Sequence, residues 1–240
     1  MGTSYSPNIV KDGLVFYVDA ANPRSYPGSG TTVQSIVSSD VGAMAASGMY
    51  NSTNAGVFAF DGDDDWIDVP NSTGLNMTTN ATWNWWHNFT DITEIQCFTS
   101  RWDSGQFSWY IQKPTAQNIE FNIKPSSGNY SYNLFPISGF SGVINQWYNF
   151  CFVYDGSIGT NADKLKFYVN AVLQTPSTTY GTFPNSLPVT TSKMRIGNFS
   201  DLYTTREIYG KIACFSLQTK ALLAPEVKQN YNALKSRFGL

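Results

Sequence analysis

The strongest constraint on the fold of this chain is a two-residue alternation that recurs in short runs closed by turn residues. In "KLKFYVNAVLQ" (164–174), Leu165, Phe167 and Val169 share one side, while Lys166, Tyr168 and Asn170 share the other. In "QWYNFCFVYDGS" (146–157), Phe150, Phe152 and Tyr154 fall together before the turn pair Asp155-Gly156. "ATWNWWHNF" (81–89) sets Trp83, Trp85 and His87 against Thr82, Asn84 and Trp86. Successive side chains of a β-strand point to opposite faces, so each run reads as a strand with one face toward a core.

Further runs extend the series. "GLVFYVDA" (13–20) opens it and meets the loop "ANPRSYPGSG"; "DDDWIDVP" places Ile67 and Val69 opposite Trp66 and Asp68. "SRWDSGQFSWYIQK", "QNIEFNIK", "NYSYNLFPI", "SKMRIGNFSD" and "YGKIACFSLQTKAL" complete it, with residues 35–57 read as loop carrying one or two short strands. The one helix comes last, in "APEVKQNYNALKSRFGL": Pro225 suits its first turn, and Val227, Tyr231, Leu234 and Phe238 recur along one face. With no repeat and no linker, the expectation is one domain over residues 1–240. Its class is all-β, a two-sheet antiparallel β-sandwich of the jelly-roll kind with one short C-terminal helix.

Composition narrows the function. Charged residues make up only 13% of the chain, aromatic residues 15%, and the net charge is −2. A nucleic-acid partner needs a basic footprint that this balance excludes. Cys97, Cys151 and Cys214 are far apart and form no CxxC, which predicts free thiols buried as small hydrophobes. No apolar run approaches the roughly 18 residues of a membrane span. The start of the chain lacks a signal-peptide pattern, so synthesis in a cytoplasm without membrane insertion is the expectation. "MGTSYS" matches a myristoylation pattern by letters, which chance explains.

Four segments in order, "FDGDDDWIDVP", "QWYNFCFVYDGS", "KLKFYVNAVLQ" and "YGKIACFSLQTKALLAPEVKQNYNAL", resemble concanavalin A-like domains of the laminin G-like jelly-roll type. The resemblance runs from about residue 13 to the end, and its closing strand followed by a short helix is similar to the family's. It implies the sandwich and leaves function open, because this fold hosts lectins, glycosidases and structural appendages alike. Two positions depart from the family pattern. Asn170-Ala171 stands where relatives often have Asn-Gly, which predicts a different turn, and Ala213 stands where many carry a calcium-binding Asp.

Asp61, Asp63, Asp64 and Asp65, with Asp19 as a distant partner, are the candidate calcium ligands, since calcium takes about six to eight oxygens. The alternative is a solvated turn. Related glucanases carry a Glu-x-Asp-x-Glu strand that spaces two carboxylates about 5 Å apart. Glu94, Glu120, Glu207 and Glu226 are the only glutamates and none stands in such a run, so no enzyme is expected. His87, the single histidine, reads as a core residue satisfied by the backbone. Trp66, Trp86, Trp102, Trp109, Tyr110 and Tyr168 are the candidate ligand-binding rings, suited to stack on a sugar or to fill a protein interface.

Domains resembling this one occur among bacteriophage structural proteins, whose particles assemble in the host cytoplasm and leave by lysis. The leading expectation is therefore a non-enzymatic virion component, a capsid decoration or a tail appendage. It would be multivalent in its assembly, with other virion proteins and host-surface glycans as partners. A free carbohydrate-binding lectin of a cellular organism is the alternative, and a glycan-degrading enzyme the third.

Overall fold

The computed structural model describes residues 7–103, 105–115, 117–124, 129–137, 143–199 and 206–240; "MGTSYS" and the Ser200-Asp201 end of "SKMRIGNFSD" lie outside them. The described residues form seventeen strands. They are β1 (Leu14–Asp19), β2 (Thr32–Gln34), β3 (Val41–Met44), β4 (Tyr50–Asn51), β5 (Val57–Asp61) and β6 (Ile67–Val69). Then come β7 (Asn80–Phe89), β8 (Gln96–Asp103), β9 (Gln106–Thr115), β10 (Asn118–Ile123), β11 (Ser131–Pro136) and β12 (Trp147–Asp155). The series closes with β13 (Leu165–Val169), β14 (Val172–Gln174), β15 (Thr178–Tyr180), β16 (Met194–Ile196) and β17 (Tyr209–Gln218), before the helix α1 (Ala224–Leu234).

These strands make two antiparallel sheets. An eight-stranded sheet runs β14-β13-β12-β7-β17-β5-β4, with β1 sharing the β17 edge beside β5. A nine-stranded sheet runs β15-β11-β10-β9-β8-β16-β6-β3-β2. The predicted alternation holds where it was clearest: Trp83, Trp85, Phe150, Phe152, Tyr154, Leu165, Phe167 and Val169 all enter the main core. Trp83 meets Trp109 and Phe121 of the opposing sheet edge-on, at centroid distances of 5.1 and 4.7 Å. Each such pair adds about 0.5–1.5 kcal/mol beyond its buried area. β2 lies outside every run that the alternation marks, because its three residues are too few to show a period.

Two expectations about local chemistry are corrected. The turn between β13 and β14 keeps the primed geometry: Asn170 and Ala171 have φ of 50° and 64°, so Ala occupies a left-handed position that ordinarily favours Gly. Register and strand twist impose that geometry on both residues. His87 is fully buried, as expected, but neither ring nitrogen has a hydrogen-bond partner. It is packed against Phe89, Phe98 and Phe150, and burial alone lowers its pKa to about 3. Aromatic packing decided that environment, where the sequence suggested a backbone partner.

The outer face of the eight-stranded sheet is covered by the end of the chain. Val227 and Leu222 pack on Tyr168, Cys151 and Val153, while Phe238 lies on Trp86 and Trp147 at 4.3 and 4.6 Å. Arg237 fastens this cover: it pairs with Asp19 at 2.8 Å and donates to the carbonyls of Asn54 and Gly56. At one end of the sandwich, Arg101 is buried and donates to the carbonyls of Leu75, Thr190 and Ser192 and the side chains of Asn71 and Asn76. Desolvation brings its pKa down to about 10. Among the described residues, no helix is long and apolar enough to cross a membrane.

Candidate functional site

The nine-stranded sheet has no such cover built from α1, and its outer face carries polar and aromatic side chains in rows. Residues opposite one another in an antiparallel ladder point to the same side. The pairings Tyr180–Tyr132, Tyr132–Asn122, Asn122–Tyr110, Tyr110–Ser100, Ser100–Arg195 and Arg195–Asp68 therefore trace one continuous row across seven strands, β15 to β6. A bulge between Cys97 and Thr99 in β8 keeps Ser100 in that row while Arg101 turns inward.

Three groups of contacts organise this face. Tyr132 and Tyr180 stack at 5.1 Å, with Tyr180 52% exposed at the sheet edge. In the middle, Glu120 accepts hydrogen bonds from Tyr110 (2.9 Å), Gln112 (3.2 Å) and Asn122 (3.0 Å), while Arg206 donates to Gln112 at 2.8 Å. Burial, and then the charge of Glu120, drive the Tyr110 phenol far above its usual range, so it stays a hydrogen-bond donor at neutral pH. On the far side Asp68 takes both Arg195 (2.6 Å) and Lys193 (3.1 Å), and the Arg195 guanidinium lies 4.4 Å from the centre of the half-buried Trp66 ring.

A fourth group flanks the row at the β8–β9 hairpin. Trp102 is 4% exposed beneath Phe107, Tyr110 and the 42% exposed Tyr130, at 4.7, 4.8 and 5.8 Å. Lys124 extends from the end of β10 over the Phe107 and Tyr130 rings.

The predicted aromatic candidates divide. Trp66, Trp102 and Tyr110 come together on this outer face. Trp109 belongs to the main core, and Trp86 and Tyr168 are buried under the C-terminal cover, so these three rings have structural surroundings. Their burial corrects the expectation of ligand-facing rings. Period two already places Trp109 with Ile111 and opposite Tyr110, so its inward position was legible in β9. For Trp86 and Tyr168 only the helix decides. Sequence reasoning passed over Lys124, Tyr130, Tyr132, Tyr180, Arg195 and Arg206. Of these, Arg195 is marked by Met194 and Ile196 on either side.

The acidic turn lies between β5 and β6. Asp61, Asp64 and Asp65 each offer an oxygen within 4.8 Å of the others, beside a depression of about 330 Å³ lined also by Ala46, Gly48, Ala59 and Phe60. Gly62 shapes this turn with φ 86°, and a Cβ there would lie 2.2 Å from the Tyr209 ring. Asp65 is 8% exposed and its carboxyl is raised above the usual range, by burial and then by the charges of Asp61 and Asp64. Asp61, Asp64 and Asp65 make no ion pair with a described cation and could supply three of the about six to eight oxygens that calcium takes; the same cluster also suits a solvated turn. Asp63 stands outside the group and donates its backbone N–H to Asp61. Asp19 is engaged by Arg237 on the eight-stranded sheet, which removes it from the set.

With the geometry established, comparison with known proteins places the fold. A family model described as the concanavalin A-like lectin/glucanases superfamily matches residues 61–228. No curated protein sequence matches the chain. Among solved structures, the chain is similar to the receptor-binding domain of botulinum neurotoxin type G, at 12% identity and TM-score 0.62 over 92% of this chain and 51% of that one. It is also similar to the serotype D ligand-binding domain in complex with N-acetylneuraminic acid, at 13% identity and TM-score 0.67 over 92% and 50%. The binding domain of Paraclostridial Mosquitocidal Protein 1 follows at 11% identity and TM-score 0.66, over 92% and 52%. The chain spans about half the length of these domains, and at such identities the likeness is one of fold.

Proposed function

The chain belongs to the concanavalin A-like lectin/glucanase superfamily, and from that premise we propose that it is a non-enzymatic, lectin-like module that binds carbohydrate on the outer face of its nine-stranded sheet. The observation that carries this reading is the in-register row from Tyr180 to Asp68, which brings the exposed Tyr180 and the half-buried Tyr132, Tyr110, Arg195 and Asp68 to one face, with Asn122 and Ser100 buried between them. Sugar rings stack their C–H faces on aromatic rings and bind their hydroxyls to amides, carboxylates and guanidinium groups, and both materials stand side by side here.

The carboxylates of this face favour binding over hydrolysis. Glu120 on β10 and Asp68 on β6 are four strands apart, about 19 Å at the usual strand spacing. Glycosidase pairs stand at about 5–9.5 Å. In addition, Asp68 is neutralised by Arg195 and Lys193.

The finer reading is a virion component, a capsid decoration or tail appendage that meets host-surface glycans in many copies. Three buried free thiols, Cys97, Cys151 and Cys214, support folding in a reducing cytoplasm, where virions assemble. A glycan array probed with the purified chain tests the module, with Tyr132→Ala expected to weaken whatever binds. Silence across the array sinks the carbohydrate reading, and release of product from any bound glycan sinks the non-enzymatic one. Co-sedimentation with assembled particles tests the virion reading, and a chain found only in the free fraction overturns it in favour of a free lectin.

A further inference from the structure

We propose that Lys124 and the rings around it form a subsite for an acidic sugar, a pyranose bearing a carboxylate or sulfate group; the inference rests on the carbohydrate reading above. The Lys124 ammonium lies 4.0 Å from the centre of Phe107 and 4.8 Å from that of Tyr130. Among the described residues it makes no ion pair, although it is half-buried. The other three cations of this face are committed: Arg195 and Lys193 to Asp68, and Arg206 to Gln112.

A lysine ammonium is a compact, strongly hydrated charge on a flexible stem, and it ordinarily turns its head into water or toward a carboxylate. Here it is held between two ring faces. Their quadrupoles offset part of the lost hydration but supply no hydrogen-bond acceptor lone pair. The arrangement leaves N–H donors and a full positive charge for an anionic oxygen. Tyr130 is 42% exposed, with Trp102 stacked against it and Lys124 over its ring. A sugar ring packed against the exposed part of Tyr130 brings an exocyclic anionic group to Lys124. The overall charge of −2 gives the protein no general attraction for anions, so selectivity for an acidic sugar must come from this local arrangement.

The test compares three oligosaccharides of equal length by titration calorimetry: a neutral galactan, its galacturonate counterpart and a sulfated galactan. Wild type is expected to bind one of the acidic forms at least about tenfold more tightly than the neutral one, with affinity falling as salt rises, since a charge-assisted hydrogen bond is stronger than a neutral one and is screened by salt. Lys124→Met, which keeps the stem and removes the charge, is expected to erase that preference, and Lys124→Arg to retain most of it. Equal melting temperatures show that the variants fold. The sulfated and carboxylated arms identify which anion is read. Equal binding of neutral and acidic sugars, or acidic preference intact in Lys124→Met, overturns the Lys124 subsite while leaving the lectin reading in place. Failure of all three sugars together with a silent glycan array overturns the carbohydrate reading itself.

Discussion

The two outer faces of this sandwich use the same side chains to opposite ends. On the eight-stranded sheet, outward Trp86, Trp147 and Tyr168 are sealed by Val227, Tyr231 and Phe238, and Arg237 fastens the seal to Asp19. On the nine-stranded sheet, outward Trp66, Tyr110, Tyr130, Tyr132 and Tyr180 keep part of their surface in solvent, and cations rather than a helix lie over them. An outward aromatic on a strand is therefore no indication of a ligand surface until the elements stacked on that face are known.

The sharpest way to break the comparison is to open the sealed face. Phe238→Ala removes the ring that sits on both Trp86 and Trp147 and is expected to cost about 3–4 kcal/mol in chemical denaturation, with a shift of tryptophan fluorescence toward the exposed value. A cost under about 1 kcal/mol would mean that the cover is dispensable. Next in size is the interior that both faces share. His87 has its pKa lowered to about 3 in the folded state against about 6.5 unfolded, so between those values the unfolded chain binds the extra proton. Stability attributable to His87 is complete above pH 6.5 and is lost as pH falls, by about 2 kcal/mol at pH 5 relative to pH 7. Asp65 and Glu207, whose carboxyls are raised by burial, push in the opposite direction near the carboxylate range. Urea denaturation of wild type and His87→Leu at the two pH values isolates the histidine, and parallel pH slopes would refute its role.

A smaller change concerns the edge next to the sealed face. Ala171→Gly relieves a left-handed alanine and is expected to stabilise by about 1 kcal/mol, read as a raised denaturation midpoint. Smallest in stability is the open face: Trp66→Ala, which removes a half-buried ring and its cation–π contact with Arg195, should cost less than about 1 kcal/mol of unfolding free energy while weakening binding in a glycan titration. A large stability loss there would make Trp66 a packing residue like Trp86.

What the sequence could and could not reveal follows the same division. Alternation marked Trp83, Trp85, Phe150, Phe152, Leu165 and Phe167 as interior because a strand's two faces differ locally, and that difference is written in adjacent residues. The helical spacing of Val227, Tyr231, Leu234 and Phe238 was equally local. What covers an outward residue is set by a segment far along the chain, Leu222 and Val227 over Tyr168 and Tyr231 and Phe238 over Trp86, so Trp86 and Tyr168 read like Trp66. The open face is likewise assembled from β15 to β6 by register, which places Tyr180 in line with Arg195 through four intervening residues that no short motif connects. Asp19 and the acidic turn illustrate the point in reverse: both are carboxylates beside strands, and only the pairing of Asp19 with Arg237 separates them.

One topological detail bears on how the chain comes into being. β7 lies between β12 and β17, yet β17 begins at Tyr209, about 120 residues after β7 ends at Phe89. At ribosomal rates of about 5–20 residues per second, the strand holding Trp83, Trp85 and Trp86 waits roughly 6–24 s for its second neighbour. Until β12 is made it is an unpaired, tryptophan-rich ribbon, and until β17 follows it keeps one open edge, of the kind that chaperones capture and aggregates recruit. Yield during expression, and its sensitivity to temperature and translation speed, will accordingly be governed by the sheet that holds no candidate ligand surface at all.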